Sequence, residues 1–229
     1  LNITSGGLIG PNNNRSFGAT VDSGRITAGG ATPAAASDLF IYNRANTLTV
    51  NARLVDNIAG DGSSVRAVLT ASGGAITFVN TNASYTGGTV LNGGTLNLLA
   101  SASGVTIPAA AVPARGLIIN LGTVNMGGAS NTVAGQIAAT NVVTLNGGAS
   151  ALNLFGDNTL AGLVFDNSGG GGNNITVTTF STATTSGAGS AGVLTIGDSG
   201  IVASASNIAG SNIIAGRVDF GATAKIVDV

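Results

Sequence analysis

The chain has 229 residues, 44% of them hydrophobic and only 7% charged, with a formal net charge of -1 and a mean hydropathy of +0.44. That balance excludes a disordered polar tail, and it offers no positive field to hold a phosphate backbone, so no nucleic-acid partner is expected. Cysteine and histidine are both absent, which removes disulfides, thiolate metal sites and Ser-His-Asp or Cys-His catalysis.

All nine acidic residues are Asp, and of Glu, Lys, Gln and Met, which fill helix surfaces at low entropic cost, only Lys225, Gln136 and Met126 occur. Glycine occurs 37 times, among many Asn, Thr, Ser and Val, which suit turns and short strands. An all-β chain is therefore expected, with residues 1–229 forming one repetitive array. Leu1 to Gly10 lacks a basic segment followed by an apolar one, so export signals are expected outside this chain. The most apolar stretch, Ile107 to Leu121, is interrupted by Pro108, Pro113 and Arg115, and no membrane insertion by this segment is expected.

Taken in chain order, the predicted strands are Leu48 to Val55, Ile76 to Val79, Thr89 to Leu91, Leu96 to Leu98, Leu117 to Leu121, Val142 to Leu145, Leu152 to Phe155, Leu163 to Phe165, Ile175 to Phe180, Val193 to Ile196 and Ile213 to Phe220. Their period is two. Leu48, Val50, Ala52 and Leu54 would face one side, and Thr49, Asn51, Arg53 and Val55 the other. Both chain ends, Leu1 to Thr4 and Lys225 to Val229, read as ordinary strands without a cap, so further like coils are expected to cover them.

A unit of apolar run, Asn/Gly-Gly turn and second apolar run recurs at Val90 to Leu96, Val124 to Gly128 and Val143 to Leu152. Units start about 20 to 30 residues apart, as solenoid coils do. Asn-Gly is also a hairpin signal, so periodicity favours stacked coils without excluding antiparallel pairs.

One segment, Tyr85-Thr86-Gly87-Gly88-Thr89-Val90-Leu91-Asn92-Gly93-Gly94-Thr95-Leu96-Asn97-Leu98, resembles the autotransporter-associated β-strand repeat found in passenger regions of bacterial surface proteins. The likeness covers about residues 38 to 98; Val90 stands where the repeat usually has Thr, and Ala83-Ser84 where it has Asn-Thr. The resemblance implies a right-handed parallel β-helix at the outside of a bacterial cell. In that frame Tyr85, Gly87, Gly88, Thr89, Gly93, Gly94, Thr95, Leu96 and Leu98 are structural repeat residues. Leu91, Leu96 and Leu98 would point inward, Thr89, Thr95 and Asn97 outward or to corners, and corner Asn side chains would stack in ladders. At about 4.8 Å per coil the chain would make roughly ten coils and a rod about 50 Å long.

The function expected is structural and non-enzymatic, a stalk, spacer or filament, with an adhesin or carbohydrate-binding module as the alternative and surface glycans as its partners. A polysaccharide-cleaving enzyme would need paired carboxylates, for which Asp56 with Asp61 and Arg53, or Asp157 with Asp166, are the candidates. Each of these Asp residues sits in a turn sequence that favours Asp for backbone reasons. The glycine run in 168–174 lacks the Lys-Ser/Thr of a phosphate loop, and the repetition of a calcium-binding solenoid is missing. No metal or cofactor is expected. The sequons at Asn2, Asn14, Asn82 and Asn174 are incidental in a bacterial protein. A water- or ice-binding face would need a Thr-x-Thr row at the same place in successive coils, and only Thr47-Leu48-Thr49 and the run beginning at Thr176 offer one. With no Trp and only Tyr42 and Tyr85, a conventional sugar-stacking platform is not expected.

Overall fold

The computed structural model describes residues 1–4, 7–10, 12–30, 36–57, 62–127, 131–167, 173–180, 192–204, 210–222 and 224–228. Their strands are β1 (Asn2–Ile3), β2 (Gly7–Gly10), β3 (Arg15–Phe17), β4 (Arg25–Ala28), β5 (Ser37–Asn43), β6 (Asn46–Val50), β7 (Arg53–Leu54), β8 (Val65–Ala71), β9 (Gly74–Phe78) and β10 (Thr89–Leu98). They continue as β11 (Leu117–Met126), β12 (Val142–Asn146), β13 (Ala151–Phe155), β14 (Asn158–Asp166), β15 (Ile175–Phe180), β16 (Val193–Ser204), β17 (Asn212–Ala215), β18 (Arg217–Asp219) and β19 (Val227–Asp228). The only helical element among the described residues is the single 3-10 turn Pro113–Arg115, and no helix there is long and apolar enough to cross a membrane. The chain is all-β.

Every strand pairing among the described residues is parallel, and the pairings form three stacks. The first runs β2, β5, β8, β10, β11, β12, β14, β16 and β19, nine levels against the roughly ten expected. The second runs β3, β6, β9, β10, β11, β13, β15 and β17. The third begins as β1, β4 and β7, is carried by the single bridges Val55 to Ser84, Asn82 to Val105 and Ile107 to Ile137, and closes with the first halves of β14 and β16 and with β18. Nine levels at about 4.8 Å give a stack roughly 40 Å tall.

Parallel neighbours cannot be joined by a tight turn, so each pair needs a long connection. Here that connection is the rest of the level, from 20 residues between the partners Thr144 and Val164 to 38 between Val164 and Val202. The hairpin alternative therefore fails where the glycine pairs had suggested it. Val90 to Leu96 lies inside one strand, β10, whose first half pairs in the first stack and whose second half pairs in the second. Gly93 and Gly94, at φ 78° and 80°, turn a corner between two faces and do not reverse the chain. The predicted run Ile213 to Phe220 likewise bends at Gly216, φ 142°, and divides into β17 and β18.

The interior is a set of apolar columns. Ile41, Leu69, Leu91, Ile119, Leu145 and Phe165 stand in register down the first stack, and Leu48, Ile76, Leu96, Val124, Leu152 and Val177 down the second; all are 2% exposed or less. Full burial of each such side chain contributes about 1.5–3 kcal/mol against the entropy of ordering the strands. Leu48, Val50, Ala52 and Leu54 are inward, as alternation requires. Val55 is inward too, against expectation, because the chain turns a corner after β7 and the period is broken there.

Candidate functional site

The repeat-like segment builds the middle of the stack. Tyr85 lies just before β10, fully buried, and its hydroxyl shares a 2.6 Å hydrogen bond with the Thr89 hydroxyl. Burial pushes the Tyr85 phenol well above its ordinary pKa, opposed only in part by that bond, so it stays neutral. Thr89 is thus an interior residue, which corrects the expectation that it faces outward: it stands over Ala67 and under Leu117, with its one polar atom satisfied by Tyr85. Leu91, Leu96 and Leu98 are inward, while Thr95 and Asn97 are half-buried on the outer side of the second stack. Gly87 and Gly88 sit where neighbouring backbone closes in: a Cβ on Gly87 would lie 2.6 Å from the Val65 carbonyl, and one on Gly88 2.9 Å from the Arg115 carbonyl carbon.

Asparagine ladders are present in two places. At the corner, Asn120 Nδ2 donates to Asn92 Oδ1 (2.7 Å) and Asn146 Nδ2 to Asn120 Oδ1 (2.8 Å). On the second stack, Asn125 donates to Asn97 (3.1 Å) and Asn153 to Asn125 (2.8 Å). In each ladder an amide donates down the stack and accepts from the next level, so each side chain is oriented by its own copies.

The carboxylates act mainly as staples between levels. Asp56 Oδ1 accepts from the Val65 and Thr86 amides, both at 2.8 Å, and its Oδ2 from the Thr86 hydroxyl at 2.7 Å. Asp22 accepts from the Thr81 amide (3.0 Å) and hydroxyl (2.6 Å) and from the Asn82 side chain (2.7 Å), across 59 and 60 residues of sequence. Partial burial of Asp22 raises its pKa, but the bonds from Thr81 and Asn82 outweigh this, and the carboxyl sits below its ordinary value.

The proposed carboxylate pairs are not assembled as such. Asp56 is turned to Val65 and Thr86, whereas Arg53 pairs in register with Arg25; Asp61 lies outside the described residues. Asp157, holding the Val193 amide at 2.8 Å, precedes β14, and Asp166 ends it, so a bent nine-residue strand separates them onto different faces. Among the described residues no cluster of three or more Asp could hold a metal ion. Residues 168–172 of the glycine run and 181–185 of the threonine run also lie outside the described residues.

Asp38 and Arg66 escaped the sequence reading. They are in-register neighbours on β5 and β8, joined by two bonds of 2.8 and 2.7 Å, and the carboxylate bond, more than burial opposes it, raises the Arg66 pKa. The pair lines a recess of about 260 Å³ with Ser64, Thr86 and Arg115. There the Thr86 hydroxyl donates to Asp56, which leaves Ser64 to donate to Thr86 at 2.8 Å. The signal that could have found the ion pair is spacing: Asp38 and Arg66 are 28 residues apart, as are Asn92 and Asn120, and Asn97 and Asn125.

Register places Thr47 and Thr49, and Thr176 and Thr178, on one outer face, but the levels between them carry Ala75 and Thr77, Thr95 and Asn97, Thr123 and Asn125, and Ala151 and Asn153, so the Thr-x-Thr row does not recur in successive levels, as expected. No family model matches the chain, and searches of curated proteins and of solved structures find nothing similar to it, so the likeness to the autotransporter repeat rests on the residues of 38–98 themselves.

Proposed function

We propose that the chain is a right-handed parallel β-helix serving as a non-enzymatic structural rod, a stalk, spacer or filament on the outside of a bacterial cell. The observation that carries this reading is the uninterrupted parallel register from β2 to β19, with the polar side chains spent on joining one level to the next. Such a stack transmits length and resists unfolding through repetition, which is what a spacer requires. Among the described residues, the strands β17, β18 and β19 have a neighbour on one side only, as do β1, β2 and β3. Like coils, in the same chain or in a neighbouring subunit, would complete these ladders end to end.

Solution scattering and electron microscopy of the chain test the reading. Elongated particles that join along their long axis are the expected result. A compact, monodisperse monomer at high concentration would overturn it. A second reading, a glycan-binding surface module, draws on the polar recess between Asp38, Arg66 and Arg115, where guanidinium groups and hydroxyls converge.

A further inference from the structure

The recess beside the first stack gathers side chains from four successive levels. Asp38 lies on β5, Ser64 and Arg66 at the start of β8, Thr86 just before β10 and Arg115 just before β11. The stretch that carries Arg115 is tied down. The Ala111 amide donates to the Thr86 carbonyl at 2.8 Å, Pro113 opens the 3-10 turn, and the Arg115 and Gly116 amides close it at 2.8 and 2.9 Å.

Hydrogen-bond valence defines what would complement this recess. Ser64 spends its proton on Thr86, and Thr86 its own on Asp56, so the Ser64 oxygen is left as an acceptor. Asp38 takes one Arg66 N–H on each carboxylate oxygen and keeps a lone pair on each. Arg115 is exposed and makes no ion pair or side-chain hydrogen bond among the described residues, so its guanidinium donors are open. With Asp38 and Arg66 cancelling, Arg115 leaves the lining with a surplus positive charge; Asp56, outside the lining, is occupied by Val65 and Thr86.

A fitting ligand therefore brings hydroxyl donors for Ser64 and Asp38 and an anion for Arg115. A uronic acid carries both on one ring, and its planar carboxylate matches the fork of a guanidinium. The volume of about 260 Å³, just under the usual range for small-ligand sites, suits a single sugar ring. Val112, 49% exposed at the rim, offers an apolar wall to the C–H face of such a ring. An acidic peptide side chain would satisfy Arg115 but bring no hydroxyls, and a neutral sugar would leave Arg115 open.

We infer that this recess binds an acidic saccharide through one uronic acid ring, its carboxylate on Arg115 and its hydroxyls on Ser64 and Asp38. The inference rests on the glycan-binding reading and names its ligand class; the rod itself does not depend on it.

The test is calorimetric titration of the whole 229-residue chain with a galacturonate trisaccharide, beside a neutral galactose trisaccharide and triglutamate. One site per chain is expected for the galacturonate, weakened by added salt, with both comparison compounds bound at least about tenfold more weakly. Arg115→Gln should lose about tenfold or more in affinity, the loss of a charge-assisted pair, with an unchanged circular dichroism spectrum and melting temperature. Arg44→Gln, an exposed arginine beyond the far end of β5, should bind as the wild type does. Where Arg115→Gln fails to fold, Ser64→Ala, which removes an acceptor and keeps the charge, should weaken the galacturonate severalfold. Equal binding of the neutral sugar would overturn the inference and leave the glycan reading standing, whereas binding of no saccharide would overturn both. Equal binding of triglutamate, undiminished binding by folded Arg115→Gln, or equal loss in Arg44→Gln would each overturn the inference as well.

Discussion

Adding one methyl group at each of two adjacent glycines separates backbone strain from crowding. Gly93 and Gly94 share nearly the same φ, 78° and 80°, so alanine at either meets the same left-handed penalty of about 1–2 kcal/mol. Reduced freedom of the unfolded chain returns about 0.4–1 kcal/mol in both cases. Their surroundings differ. A Cβ on Gly93 meets nothing within 4 Å, whereas one on Gly94 would lie 2.6 Å from the Ala71 carbonyl carbon and 2.7 Å from its Cβ. Because Ala71 ends β8, directly beneath the corner, relief requires moving the backbone of a neighbouring level. Gly93→Ala should therefore cost about 1 kcal/mol, and Gly94→Ala about 3–5 kcal/mol, the range of severe overpacking. Urea unfolding followed by far-ultraviolet circular dichroism reads the difference as a midpoint gap on the order of 1 M, with a second probe checking that the transition is cooperative. Equal losses in the two variants would show that the corner yields freely, and would refute the tight stacking of β10 on β8.

The buried Tyr85 and Thr89 pair lends itself to a double-mutant cycle: Tyr85→Phe strands a buried hydroxyl and should cost about 1–3 kcal/mol, while Tyr85→Phe with Thr89→Val should cost less than the two single changes summed. Additive losses would mean the two hydroxyls are not each other's partners. The Asp22 carboxyl is depressed in the folded state, so its stabilisation is complete above the unfolded value and disappears as pH falls through the folded one. Acid titration should show the wild type losing stability below pH 3.8 more steeply than Asp22→Asn, and parallel curves would refute the staple to Thr81 and Asn82. Asn120→Ala removes one ladder bond above and one below; a loss of about 1–2 kcal/mol is expected, and an unchanged melting curve would mean the corner ladder adds nothing. EDTA should leave the melting temperature unchanged, and a drop of several degrees would reveal a cation held by turn carboxylates.

The amino-acid sequence alone determined the strand class and much of which side faces inward. Missing helix formers, abundant glycine and period-two alternation are local properties, and they suffice for the interior columns through Leu48, Leu91, Leu96 and Leu98. Alternation even carries Thr89 inward beside Leu91; expecting it outside weighs its hydroxyl above the period, and only the partner at Tyr85 shows why the hydroxyl is tolerated there. Everything that depends on which strand lies over which was left to the tertiary structure. An Asn-Gly-Gly turn is compatible with a reversal or with a corner, and the choice falls to the corner because both halves of β10 find parallel partners of matching apolar side chains. Levels of unequal length hide the register from any fixed repeat, so the rows from Thr47 to Thr178, the Asp38 and Arg66 pair and the Asp22 staple across 59 residues emerge only when the levels are stacked. The physical reason is that side-chain parity is set by neighbouring residues along the strand, whereas register is set by packing between residues tens of positions apart.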